Sequence, residues 1–176
     1  REDFVSYMDS LYSPDNMTVV VAGGIKEPHI RELVDKYFSD MKKLSTISAL
    51  PIVEDQKKPA IMVREKKTEQ VHIALGVRTV DLNHPDKYPL SVLASIMGGG
   101  MSSRLFNEVR EKRGLAYYVR SSSDEYIDCG TLATTAGIDP KRVTDAIKVM
   151  IEQYQLVSAA KLDITKEELR KAKEYM

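Results

Sequence analysis

The stretch GGGMSSRLFNEVREKRGLAY, residues 98–117, decides how this chain is read. Three glycines break an apolar run that began near Asp86, and two serines open the next helical segment. That segment carries Arg110 near its end, stops at Gly114 and hands over to a strand holding Tyr117. Gly-Gly-Gly before Ser102-Ser103 has two physical readings. Free amides there would cradle a phosphate, or the glycines make a tight helix–helix turn. No Gly-Lys-Ser/Thr follows and no G-x-G-x-x-G spacing exists, so the turn is the favoured reading.

Upstream, residues 86–97 are apolar nearly all round, which predicts a central helix. Pro85 and Pro89 fall before it or in its first turn, where a missing N–H costs little. Before it, residues 60–65 and 69–78 read as a hairpin around Lys66-Lys67-Thr68. In the second of these strands Val71, Ile73, Leu75 and Val77 alternate with His72, Ala74 and Gly76. Downstream, residues 115–123 and 129–137 form a second strand pair. Val143, Ala146, Ile147, Met150, Ile151, Tyr154 and Val157 then draw one helical stripe over residues 141–157, which is core. Thr165 and Glu168 have the spacing of a capping box and open a last helix. Two strands, two helices, two strands and two helices predict an α+β fold. It has two layers, a largely antiparallel sheet with helices on one face.

The first forty residues stand apart. A helical pattern over residues 2–12 leads through Ser13-Pro14-Asp15-Asn16 to a valine-rich strand at 17–22. A helix follows, with Ile30, Leu33, Val34, Tyr37 and Phe38 on one face. Residues 41–59 lack periodicity and read as a linker at a lobe boundary. The division is therefore 1–40, 41–59 and 60–176. Arg1 and Met176 both fall inside helical patterns, so the chain reads as a fragment of a longer protein.

Composition excludes several classes. Lys plus Arg and Asp plus Glu both number 26 in 176 residues, so no net field favours nucleic acid or an anionic membrane. Lys57-Lys58 and Lys66-Lys67 are solvated surface. No apolar run is long enough to span a bilayer. The lone Cys129 excludes an intramolecular disulfide and fits a reducing compartment. His29, His72 and His84 lie far apart, with no His or Cys at metal spacing.

Segment by segment, the chain resembles the pitrilysin/insulinase family of zinc metallopeptidases, which includes the mitochondrial processing peptidase. LYSPDNMTVVVAG (11–23) and LVDKYFSDM (33–41) are similar to the end of that family's zinc-bearing first lobe. EQVHIALGV (69–77) is similar to the opening strand of the second lobe. HPDKYPLSVLASIMGGGMSSRLFNEVREKRGLAYYV (84–119) is the strongest match, and GTLATTAGIDPKRVTDAI (130–147) continues it. The family's His-x-x-Glu-His zinc motif is nowhere in the chain.

The resemblance implies the carboxy-terminal, metal-free domain of a protease built from two similar α+β lobes around a closed chamber. Residues 1–40 would be the first-lobe tail and 60–176 the second-lobe core. The implied function is the substrate-binding, non-zinc half of a metalloendopeptidase that cleaves small proteins or peptides. Zinc is expected in the parent protein and no cofactor in this segment. The implied partners are the zinc-bearing lobe or subunit and a peptide substrate. In the family an Arg and a Tyr seven positions apart reach the substrate, and here they are Arg110 and Tyr117. A guanidinium and a phenol suit the oxygen that gains charge when water adds to a peptide carbonyl. Gly98, Gly99, Gly100 and Met101 would border the chamber and touch the peptide. From residue chemistry alone, Arg110 is a surface cation favourable at a helix C-terminus and Tyr117 a strand core residue. Period-2 alternation sends Tyr118 to the opposite strand face as packing.

A non-catalytic scaffold or subunit of the same family is the alternative, separated by whether a His-x-x-Glu-His motif accompanies the chain. A phosphate-binding enzyme is a third reading. The GGGMSSR loop resembles bacterial single-chain members, which implies a cytoplasmic location. Finally, the apolar strand at 17–22 is expected to join the sheet of residues 60–137, within the chain or by a strand swap in a homodimer.

Overall fold

Three antiparallel strands in the order β1-β3-β2 carry the larger part of the molecule. β1 is Val71–Thr79, β2 Ala116–Glu125 and β3 Gly130–Ile138. The computed structural model describes residues 1–44, 49–159 and 163–176. The chain forms two compact units, Arg1–Pro51 and Ile52–Met176. Residues 45–48 of the expected linker lie outside the described residues.

In the first unit, α1 (Glu2–Leu11) and α2 (Glu27–Phe38) flank a short Pro14–Asn16 turn. The Asn16 amide donates to the Leu11 carbonyl at 3.0 Å, fixing the exit from α1. Ser13 is buried, and its hydroxyl accepts from the Leu44 N–H at 3.0 Å.

The second unit holds the core. β3 runs between its neighbours, with Val71 opposite Ile138 on one side and Ala116 opposite Ile138 on the other. Ile73, Ala136 and Val119 share the helix-covered face. That face packs on α3 (Lys87–Gly98) and α4 (Val143–Ser158). Met97, Leu105, Val109, Ala136, Ile138, Ala146 and Met150 are fully enclosed. Each large apolar side chain among them contributes about 1.5–3 kcal/mol by leaving water. Three hydroxyls also meet inside. Ser121 and Thr134 lie 2.8 Å apart, and the Tyr154 hydroxyl from α4 sits 2.7 Å from Thr134 and 3.2 Å from Ser121. Each has a partner, so burial leaves no unpaired donor to offset the apolar gain.

α3 lies close on β2 because Gly98 has no side chain. A Cβ there would fall 2.4 Å from the Ser121 nitrogen. α5 (Lys166–Tyr175) is docked differently, since Ala172 is its one buried residue. Thr165 and Glu168 form the expected capping box. Arg104, 8% exposed, grips the same carboxylate through two nitrogens at 2.6 and 3.0 Å and donates to the Asp163 carbonyl at 2.7 Å. The Arg104 hydrogen bonds hold the Glu168 carboxyl at about 2, against the opposing effect of burial and with help from Thr165.

Two sequence expectations are corrected. Residues 17–22 are exposed and form no ladder, and the sheet has three strands among the described residues, so the valine segment does not join it within the chain. Valine gives a segment β-propensity but no partner. Residues 60–65 likewise form no strand, and Ile61, Met62 and Val63 are exposed. Three consecutive apolar residues offer no period-2 face to bury, and β1 pairs with β3 instead.

Gly98→Ala forces α3 away from β2 and is expected to cost about 3 kcal/mol, measurable by urea unfolding. Glu168→Gln is expected to cost a similar amount near pH 7, about 3 kcal/mol. A carboxyl depressed in the fold stabilises fully above its unfolded value of about 4.3. That stabilisation fades as pH falls from there toward about 2. The gap between wild type and Glu168→Gln in unfolding free energy therefore narrows over that window, and a gap constant from pH 7 to pH 2.5 would refute the assignment.

Candidate functional site

The glycine run is a tight turn. The Gly99 N–H closes on the Ser95 carbonyl at 2.9 Å, and the Ser103 N–H closes on Gly100 at 3.0 Å. The Ser103 amide is thereby taken, which removes a donor from the phosphate-cradle reading. Gly98 is buried against Ser121, Gly100 lies beside the Tyr175 ring, and Met101 is 77% exposed. Of the four loop residues, Met101 presents most surface to a ligand.

After Ser103 the chain takes one short α-helical start and then widens into a π-helix, Phe106–Glu111. The Lys112 N–H reaches back five residues to the Asn107 carbonyl at 2.9 Å. Such widened turns recur where a helix must re-aim a side chain at a functional position. Arg110 sits in this turn, with its guanidinium carbon 4.7 Å from the Phe106 ring centroid and Nε 4.0 Å from Glu111. The ring face attracts the cation and limits its excursions. Beneath it, Glu108 accepts from Lys112 and Arg113, and those bonds lower its carboxyl's pKa.

The exit is closed by two nested bonds. The Gly114 N–H donates to the Arg110 carbonyl at 2.9 Å, and the Leu115 N–H to Val109 at 2.8 Å. Gly114 has φ +56°, in the left-handed region that suits glycine. Leu115 and Ala116 then dive into the core.

At this point β2 carries a bulge. Ala116 pairs with Ile138 and Tyr118 with Gly137, so Tyr117 is the extra residue. The bulge corrects the alternation reading of the two tyrosines. Tyr117 and Tyr118 are both exposed, at 60% and 41%, between the buried Ala116 and Val119. Period-2 spacing would have put them on opposite faces, and the bulge removes that alternation locally. Tyr117 is therefore not a strand core residue. No hydrogen bond joins Arg110 to Tyr117. What brings them near in the chain is the closed turn between Val109 and Leu115.

Phe106 and the Tyr118–His72 pair were missed from sequence. The Phe106–Arg110 spacing of four was the available signal for the first. The second depends on strand register, since the Tyr118 hydroxyl meets His72 Nδ1 at 3.1 Å across the sheet.

The residues present do not fit a zinc site. Among the described residues no group of three or more His, Cys, Asp or Glu is placed to hold a metal ion. His72 faces Tyr118, and His84 Nδ1 accepts from the Asp86 N–H. Among the described residues, too, no helix is long and apolar enough to cross a membrane.

An antiparallel sheet backed by helices, with no metal-holding cluster among the described residues, fits a metal-free domain. The chain belongs to the family described as the peptidase M16 inactive domain, whose model matches residues 1–176. It is 39% identical over 176 residues to an uncharacterized zinc protease of Mycobacterium leprae, covering 98% of this chain and 39% of that protein. It is 35% identical over 170 residues to an uncharacterized zinc protease of Bacillus subtilis, covering 97% of this chain and 40% of that one. A crystal structure of a protease from Helicobacter pylori superimposes with a TM-score of 0.80 at 25% identity, over 98% of this chain and 43% of the other. The chain thus spans about two fifths of the length of the curated relatives it matches.

The purified chain is expected to hold no stoichiometric zinc and to cleave no peptide. Metal analysis finding one tightly bound zinc per chain, lost on replacing His72 or His84, would overturn that expectation.

Proposed function

We propose that this domain is the substrate-positioning, non-zinc half of a zinc metalloendopeptidase that hydrolyses peptide bonds in small proteins or peptides. The observation that carries the reading is the exposed Tyr117, lifted out of the strand core by a bulge just beyond the π-helical turn that holds Arg110. Membership of a peptidase family and similarity to proteins described as zinc proteases support it.

In this reading Arg110 and Tyr117 act on the substrate itself. As water adds to the scissile carbonyl, its oxygen gains negative charge, and the Tyr117 hydroxyl donates to it. The Arg110 guanidinium holds a neighbouring peptide carbonyl or shares the charge. The closed turn from Val109 to Leu115 fixes the backbone on which both donors stand before substrate arrives, which limits the reorganisation needed during reaction. The Gly98, Gly99, Gly100 and Met101 turn lies alongside the peptide, with Met101 making apolar contact. The metal and the general base belong to the zinc-bearing lobe or subunit that this domain pairs with. The parent enzyme works in the cytoplasm of a bacterium.

In the full-length protein Tyr117→Phe is expected to lower kcat on a peptide substrate by roughly 10²–10³, the cost of one donor to a developing oxyanion. Arg110→Ala lowers kcat/KM comparably, with the larger share in KM. Full activity of a folded Tyr117→Phe enzyme would sink the catalytic role and favour a non-catalytic scaffold.

A further inference from the structure

On the exposed face of the sheet, one cross-strand row places a ring over the middle strand. Tyr118 on β2 lies opposite Gly137 on β3, and Gly137 lies opposite His72 on β1. The outer two strands are two spacings apart, about 10 Å. The Tyr118 side chain bridges them by lying flat across the middle strand. A Cβ at Gly137 would fall 2.5 Å from Tyr118 Cε1 and 2.9 Å from Cδ1, so the ring occupies the space of the missing side chain. Its hydroxyl ends 3.1 Å from His72 Nδ1, with the two rings 6.1 Å apart and tilted by 33°.

This row sits at the bulge. Tyr117 has no pairing partner of its own on β3. Its orientation is set by its neighbours, Ala116 buried on one side and Tyr118 on the other. We propose that Tyr118, Gly137 and His72 form a brace that fixes the bulge and so aims Tyr117 at the substrate, which makes Tyr118 and His72 positioning residues. The proposal rests on the reading that Tyr117 meets substrate, and it adds residues that do not touch the reacting atoms. A slip of β2 by one residue would move the ring off the glycine and break the bond to His72, so the brace also locks register across three strands.

The test uses the full-length protein with a fluorotyrosine at position 117, observed by fluorine NMR and by peptide turnover. Gly137→Ala pushes Tyr118 off the sheet, and Tyr118→Ala removes the brace. Each is expected to shift or broaden the residue-117 signal. Each also lowers kcat about ten- to a hundredfold, with KM changed much less. Because both act through one ring, the double variant is no worse than Tyr118→Ala alone. Tyr118→Phe keeps the ring across Gly137 and loses only the bond to His72, so its effect is smaller than that of Tyr118→Ala and equals that of His72→Ala. Should Gly137→Ala fail to fold, since Gln70 also crowds that position at 2.6 Å, His72→Ala loosens the far end of the brace and carries the same readout. An unmoved residue-117 signal in folded Tyr118→Ala and His72→Ala, or additive losses in the double variant, overturns the proposal. If Tyr117→Phe keeps full activity, the substrate role of Tyr117 fails, while the fluorine signal still decides whether the brace exists.

Discussion

The contact between Gly98 and Ser121 sets the distance at which α3 rests on the sheet, and most of the larger unit follows from it. With the helix that close, Met97 is fully enclosed. Ser121 turns its hydroxyl to Thr134 and Tyr154, which ties β2, β3 and α4 into one polar junction inside an apolar core. The same approach ends α3 at a defined place and starts the glycine turn there. Everything downstream, from the π-helical turn to the bulge, is measured from that point. A glycine that looks like loop flexibility in the sequence is therefore a packing residue, and the flexibility argument applies to Gly114 instead.

Much of the architecture was legible because it rests on local patterns. The apolar run before the glycines, the stripe from Val143 to Val157 and the capping box at Thr165 each specify a helix within a few residues. The alternation from Val71 onward specifies a strand, and residues 115–123 and 129–137 read as the strand pair that β2 and β3 form. What failed was pairing. Residues 17–22 and 60–65 have strand-like composition, yet a ladder is a property of two segments and neither pattern names its partner.

The candidate site divides along the same line. Arg110 and Tyr117 were identifiable from a resemblance, and Gly114 explained how a helix could turn sharply into a strand. The structure changes how Tyr117 reaches the surface. Alternation predicts one tyrosine in and one out, whereas the bulge leaves both outside. A bulge is a one-residue mismatch against a strand about twenty residues away, and no local window contains it. His72 lies still farther off in sequence, and its link to Tyr118 exists only once β3 stands between them with a glycine at the crossing.

The attachment of α5 has a consequence for how the domain breathes. The helix buries one small side chain, Ala172, and is held instead by the Arg104–Glu168 pair and its cap. Apolar docking weakens gradually as a helix slides, but a bidentate ion pair is either made or lost. α5 should therefore exchange its amide hydrogens as a single cooperative segment, opening before the sheet and well below the free energy of global unfolding. Its Tyr175 lies beside Gly100, so each such opening also uncovers one wall of the glycine turn. The ion pair that pins α5 therefore also keeps the Tyr175 ring against the loop that precedes Arg110.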